Sequence, residues 1–347
     1  MSAGVGSLVA EAAVAEGDPS GDVLSDALVR SWRERGFAFA DGVLPPELLD
    51  ALIADADARF PAPGTPDAAK WTDFGSGGRM TFPAESERFN EATLHPRLLG
   101  AVSQLLGAPV ADVRLTQSDL WPKYGRDVHS GEPWDNDDQR IHVDYPNHTL
   151  THPPTWDAPE AVEILLYLSD VADCGGATRV VPREGEGDPA YPYPIVATPG
   201  VGALEWTNDR ASAEARLDRE APEVARWRAE NLYAREVEVS FRVGSVLFYR
   251  HDTWHRGTPL VPGSRRLAWN LTFRRTASEW VSVLHPGWAW AMYRRSRVME
   301  RLIAGASVEQ RCVLGFPPPG HAYWNPRTVA AIEARYGPLG MDVTPYS

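Results

Sequence analysis

The chain has 347 residues, 43% of them hydrophobic and 23% charged, enough to bury a sizeable core and too apolar for global disorder. Its 34 basic against 47 acidic residues leave a formal charge of −13, opposite in sign to the footprint of a nucleic-acid or anionic-membrane binder, so neither is expected as a partner. Two cysteines, Cys174 and Cys312, exclude a disulfide framework and any thiolate-rich zinc site, so a metal must be held by histidine and carboxylate.

Residues 1–23 are small and acidic, lack the basic start of a signal peptide, and are expected to form a disordered tail. No apolar run approaches the ~18–20 residues that cross a bilayer, which fits a soluble, cytoplasmic protein. Residues 24–347 read as one domain. Asp26 to Arg35 reads as a short helix and Gly36 to Gly42 as a strand. Pro45 and Pro46 suit the first turn of a second helix, whose Leu48, Leu49, Leu52, Ile53 and Ala56 recur at helical spacing. Residues 61–90 read as loop, and Pro96 to Leu106 as another helix.

From about residue 110 to 275 the character changes to short β-type runs at 111–120, 139–145, 161–169, 176–181, 236–242, 244–249 and 266–273, separated by turn signals. Several strands at such spacing predict a sandwich or barrel. Residues 211–233, rich in Ala, Glu and Arg, interrupt the series as a helical insertion and a candidate lid. Beyond Arg275 the chain turns aromatic and helical (Trp280, Trp288, Trp290, Tyr293), and the extension 276–347 is expected to pack rather than to bind a ligand.

Two histidine contexts stand out. In Gln139-Arg-Ile-His-Val-Asp-Tyr145 strand alternation puts Arg140, His142 and Asp144 on one face, and Ile141, Val143 and Tyr145 on the other. The apolar run from Gly244 leads directly into His251-Asp-Thr-Trp-His255-Arg-Gly, where His255 is a candidate third ligand. Two neutral imidazoles and one carboxylate with open positions beside them are the ligand set of non-haem Fe(II) oxygenases. A rival reading takes His251 and His255 as a two-histidine zinc pair of a hydrolase. That pair needs a helix to bring i and i+4 together, yet the segment follows a strand and precedes Gly257, Pro259, Pro262 and Gly263. Downstream, Arg265 to Phe273 alternates: Leu267, Trp269, Leu271 and Phe273 pack, while Arg266, Ala268, Asn270 and Thr272 face the other way. An arginine on that face suits a polar pocket, since a guanidinium fork holds a carboxylate end-on. Tyr167 shares its strand face with Glu163 and Leu165, and is either a pocket or a core residue.

Together these segments resemble the phytanoyl-CoA dioxygenase family of Fe(II)/2-oxoglutarate oxygenases. His142-x-Asp144 is similar to its first metal motif and Trp254-His255-Arg-Gly257 to its distal one, while Arg266 matches the arginine that binds the far carboxylate of 2-oxoglutarate. Val162 to Val171 with Gly175 to Pro182 resembles its central strand pair, and Arg35 to Leu48 its N-terminal start; the likeness spans about Leu24 to Arg275. In one departure, Pro182 is followed by Arg183-Glu-Gly, where relatives carry Gly-Ser-His.

The resemblance implies a mainly β fold with flanking α, a double-stranded β-helix (jelly roll, cupin-like) buttressed by N- and C-terminal helices. It implies Fe(II) held by His142, Asp144 and His255 as catalytic and metal-binding residues, with 2-oxoglutarate and O2 as cosubstrates. Arg266, Gln117 and Lys123 are the candidate cosubstrate-binding residues. The implied reaction is hydroxylation or desaturation at an unactivated C–H of a small-molecule substrate, with release of succinate and CO2. Because Asp144 keeps the carboxylate that related halogenases replace by a small residue, halogenation is not expected. A zinc hydrolase using His251/His255 and a non-catalytic jelly-roll binding protein stand as the alternatives.

Overall fold

The computed structural model describes residues 6–16, 18, 21–71, 78–155, 158–278 and 296–347. At the N-terminus lie two short strands, β1 (Ser7–Leu8) and β2 (Glu11–Ala12). Helix α1 (Asp26–Arg35) follows; the Ser25 side chain accepts a hydrogen bond from the Leu28 backbone N–H at its start, and Gly36, at φ 93°, ends it. Then come β3 (Phe37–Asp41), α2 (Pro46–Arg59), β4 (Met80–Thr81), α3 (Glu87–Thr93) and α4 (Pro96–Leu106). The β-rich part comprises β5 (Val113–Tyr124), β6 (Ala161–Tyr167), β7 (Thr178–Val180), β8 (Val237–Val239), β9 (Val246–Tyr249), β10 (His255–Gly257) and β11 (Arg265–Arg275).

The strands form two sheets. The larger has the order β2-β3-β9-β6-β11-β5-β4 and the smaller β1-β8-β7-β10. They face each other in the two-sheet arrangement of a jelly roll, without closing into a barrel. Helices α1, α2 and α4 cover the outer face of the larger sheet: Leu28, Trp32, Leu49, Leu52, Leu98 and Val102 share one apolar core with Val162, Ile164, Leu166, Phe248, Leu267, Trp269 and Leu271. Between the sheets, Phe37, Phe39, Tyr167 and Leu247 meet Val180, Val239 and Phe241. Tyr167 is a core residue, its ring stacked on Phe241 at 4.0 Å and its hydroxyl donating to Thr178 Oγ1 at 2.7 Å.

Two expectations are corrected. Residues 6–12 are not a free tail, because β1 pairs in parallel with β8 and β2 in parallel with β3; the short apolar stretch around Leu8 finds open sheet edges to pair with. The 139–145 segment is not a continuous strand. It makes isolated bridges at Gln139 and His142 and turns helical at Tyr145–His148, where Pro146 in the first turn favours a helix start. The 211–233 insertion is helical as expected, with α5 (Arg210–Glu220) and α6 (Pro222–Arg228), and none of its residues is among those lining the cavity between the sheets. Trp280, Trp288, Trp290 and Tyr293 lie outside the described residues. The rest of the C-terminal extension packs as expected, with Phe316, Ile332, Tyr336 and Tyr346 in one cluster with Leu150. No helix among the described residues is long and apolar enough to cross a membrane.

Candidate metal centre

His142 and His255 sit directly opposite each other, each backbone N–H donating to the other's carbonyl at 2.9 and 2.8 Å. Such a pair puts both side chains on one face, and the two imidazole rings lie 4.4 Å apart. Asp144 is brought to the same face by the chain's turn into the 145–148 helix, with its backbone N–H donating to His251 O. The result is a buried trio in which His142 Nε2 lies 3.6 Å from Asp144 Oδ1, and His255 Nε2 lies 3.5 Å from Asp144 Oδ2.

The remaining ring nitrogens have set partners. His142 Nδ1 donates to Arg140 O at 3.1 Å, and His255 Nδ1 to Thr253 O at 3.0 Å. With Nδ1 donating to a carbonyl, Nε2 is the ring nitrogen that each histidine turns toward the Asp144 carboxylate. Burial, and then the neighbouring His255 ring, push His142 down to about 3, so it stays a neutral ligand at ordinary pH. Burial alone would raise Asp144, but His255, His142, His148 and the Tyr249 hydroxyl hold it well below the usual carboxylate range. Tyr249 donates to Asp144 Oδ2 at 2.8 Å. Neutral imidazoles beside an ionised carboxylate are the donor set a divalent metal requires.

A cavity of about 230 Å³ opens beside the trio. Alternation on β11 places Arg266, Ala268 and Asn270 along it, and buries Leu267, Trp269 and Leu271 behind the sheet, as expected. Arg266 is 8% exposed; its Nη1 donates to Gly176 O and its Nε has no partner. It forms no ion pair among the described residues, which leaves a guanidinium fit for an anion. Gly175 and Gly176, both at φ +63°, turn the Gly176 carbonyl toward it. Arg265, on the opposite face, pairs with Asp57. Lys123 lies across from Arg266 in the β5–β11 register, and its Nζ donates to Asn136 O and Asp137 O at 2.7 and 2.8 Å. Burial, and then Arg266, bring it down to about 7.

Gln117 lines the same cavity as Arg266 but at its other end. Gln117 pairs with Thr272, six residues along β11, or ~20 Å at 3.3–3.4 Å per residue. There its Nε2 donates to Asp119 Oδ2, and its Oε1 lies 3.2 Å from the Thr272 hydroxyl, which donates to Glu163. The rival pairing of His251 with His255 is absent. His251 Nε2 faces Glu163 Oε1 at 2.5 Å, and the groups able to hold a metal among the described residues are His142/Asp144/His255 and Asp144/His148/Glu163.

Sequence reasoning missed Tyr249, Glu163 and His148, and also Trp206 and Asn208 at the cavity wall. For Glu163 a signal existed, since it is the lone charge in the strand Ala161–Tyr167. The Arg183-Glu-Gly departure is tied down by the Arg183 N–H to Arg35 O hydrogen bond and by Arg183–Asp252 at 3.5 Å.

The family model described as phytanoyl-CoA dioxygenase (PhyH) matches residues 32–268. No curated protein matches the chain. Among solved structures, AviO1 from Streptomyces viridochromogenes Tue57 is 18% identical, with 73% of this chain and 95% of that one covered and a TM-score of 0.45. HygX from Streptomyces hygroscopicus with iron bound is 17% identical over 74% of this chain and 88% of that one, TM-score 0.47. EvdO2 from Micromonospora carbonacea var. aurantiaca complexed with 2-oxoglutarate is 15% identical over 73% and 91%, TM-score 0.46.

Proposed function

This chain belongs to the phytanoyl-CoA dioxygenase family of Fe(II)- and 2-oxoglutarate-dependent enzymes, and from that premise we propose that it hydroxylates an unactivated C–H bond of a small-molecule substrate at the centre built by His142, Asp144 and His255. The observation that carries this reading is the fixed tautomer of the two histidines. Both spend Nδ1 on a backbone carbonyl and turn Nε2 toward one carboxylate.

Bound iron, with 2-oxoglutarate and O2, supplies the oxidising power, and the cosubstrate leaves as succinate and CO2. The chain's own part is to bind, orient and shield. Arg140 O and Thr253 O hold the imidazoles, and the Tyr249 hydroxyl holds the Asp144 carboxylate. Arg266 would take the far carboxylate of 2-oxoglutarate through its guanidinium. Its unpartnered Nε and its burial suit that task. Lys123 is fixed beside it in the β5–β11 register. Gln117 lines the same cavity, at the end away from Arg266.

Adding Fe(II) and 2-oxoglutarate under anaerobic conditions should give a weak visible charge-transfer band, and admitting O2 should release succinate. The Asp144→Ala, His255→Ala double variant should show neither. Persistence of the band in that variant would place the iron elsewhere.

A further inference from the structure

The cavity is chemically two-ended. Arg266 makes one end cationic, and the other end holds hydrogen-bond acceptors; of the other two arginines on the wall, Arg256 is paired with Glu236 and Asp138, and Arg140 donates to Asn208 Oδ1 and Pro199 O. There, one row of cross-strand neighbours runs Tyr249, Glu163, Thr272, Gln117 across four strands. Glu163 is 3% exposed and lines the cavity, as do His148 and Asn270. Its Oε2 accepts from the Thr272 hydroxyl at 2.5 Å, and its Oε1 meets His251 without hydrogen-bond alignment. Asn270 Oδ1, also buried, has no partner. His148 Nδ1 stands 3.8 Å from the same Glu163 oxygen, and the buried Asn270 amide oxygen costs free energy unless a ligand donates to it. No lysine or arginine stands in this row.

Glu163 also stands next to the centre, since Asp144, His148 and Glu163 have ligand atoms within 4.8 Å of one another. A group held on Glu163 therefore lies next to the metal ligands, on the side away from Arg266. The volume of about 230 Å³ falls below the ~300–1,000 Å³ usual for sites that engulf drug-sized ligands, so a compact molecule or the head of a larger one enters.

Resting on the oxygenase reading above, we infer that Glu163 and Asn270 form the substrate-recognition end of the pocket, and that the substrate presents hydrogen-bond donors there, as hydroxyl or ammonium groups, and not a carboxylate or phosphate. Glu163 sets the position of the substrate relative to the metal and selects against anions.

The test uses protein loaded with Fe(II) and 2-oxoglutarate, and three small probes: butylammonium, 1,2-butanediol and butyrate. Saturation-transfer NMR reads occupancy whether or not a metal is present, and paramagnetic broadening against a Zn(II)-substituted reference reads proximity to the iron. Butylammonium and the diol should bind and broaden, and butyrate should bind at least about tenfold more weakly, as a like-charge contact beside Glu163 dictates. Glu163→Gln should weaken butylammonium by about tenfold or more, the scale of a charged hydrogen bond, and the diol by a smaller factor; a larger loss for the diol assigns the hydroxyl as the native donor. Asn270→Leu, a second variant, should weaken both probes. In either variant 2-oxoglutarate should lose less affinity than the probes do, because Arg266 anchors it at the other end of the cavity.

Butyrate binding as well as the other two, failure of all three to bind, or probe affinities untouched by both variants would each overturn the inference. So would a second equivalent of Fe(II) that disappears in Glu163→Gln, which would make Asp144/His148/Glu163 a metal site. Probe occupancy without broadening and without a charge-transfer band would leave this recognition end standing and sink the oxygenase reading.

Discussion

Arg265 and Arg266 are adjacent in the chain and opposite in environment, and the difference is one step of strand alternation. Arg265 reaches out to Asp57, whose side chain is half exposed, whereas Arg266 is buried with an unpartnered Nε. Truncating one partner of a buried, hydrogen-bonded charge pair costs roughly 2–5 kcal/mol, so Arg266→Ala should weaken 2-oxoglutarate binding by about 30-fold or more. Arg265→Ala should stay within a few-fold, as surface substitutions do at about ±0.5 kcal/mol. Titrating each anaerobic iron complex with 2-oxoglutarate separates the two, and the reverse order of effects would mean that the cosubstrate binds on the other side of the sheet. Tyr249 makes a second case. Its hydroxyl fixes the Asp144 carboxylate, and outer partners of metal ligands are worth about 10–100-fold in affinity. Tyr249→Phe should therefore loosen Fe(II) by about tenfold in a chelator competition, while Arg266-dependent cosubstrate affinity holds; an unchanged iron affinity would reduce that hydrogen bond to packing.

At the scale of elements, the metal-bearing segment is held by parts of the chain that look peripheral in sequence. Arg228 in α6 is fully buried, and its Nη2 donates to Ile141 O at 2.9 Å. Tyr233, just beyond α6, accepts at its hydroxyl from Ile141 N–H at 3.1 Å and donates to Glu214 at 2.7 Å. Both backbone groups of Ile141, next to His142, are thus satisfied by the helical insertion. On the far side of Asp144, three C-terminal side chains bind the 145–152 backbone: Arg335 to Pro146 O, Tyr336 to Leu150 O, and Tyr323 to His152 O. Tyr233→Phe strands the Ile141 N–H at a cost of about 1–3 kcal/mol. It should lower the unfolding free energy by that amount and also weaken Fe(II) binding. Lost stability at unchanged iron affinity would make the insertion a mere prop. This explains what sequence reading could reach. Alternation identified the packing and pocket faces of β11, and helix starts and stops fixed α1 and α4, because those patterns are local. The two backbone partners of Ile141 lie about 90 residues downstream, and no spacing rule links them. The 139–145 segment misled for the same reason: its alternation is that of a strand, but it pairs only through isolated bridges and is held by side chains from elsewhere.

For the whole molecule, the N-terminal residues tie the two sheets together. β1 extends the smaller sheet at β8, and β2 extends the larger at β3. Leu8 and Glu11 are three residues apart, a reach of at most ~10 Å, which equals the ~10 Å between packed sheets. The chain therefore steps straight across from one sheet to the other and covers both edges. Its anchors are backbone hydrogen bonds from Glu238 N–H to Gly6 O, from Ser240 N–H to Leu8 O, and from Ala13 N–H to Asp41 O, at 2.8–3.0 Å. Each such bond contributes roughly 0.5–1.5 kcal/mol, opposed by the entropy of ordering the segment. Deleting residues 1–16 should lower the melting temperature by several degrees. Because it also bares the β8 and β3 edges, it should raise self-association, which unpaired edges template. The metal centre sits on β10 and the segment bridged to it, at the opposite end of the smaller sheet from β1, so 2-oxoglutarate binding by the remaining monomer should be unchanged. Calorimetry, light scattering and the cosubstrate titration read these three consequences separately. Loss of cosubstrate affinity in a truncated protein that stays folded and monomeric would show that the sheet spacing at this edge sets the geometry of the pocket, and that the tie is part of the site.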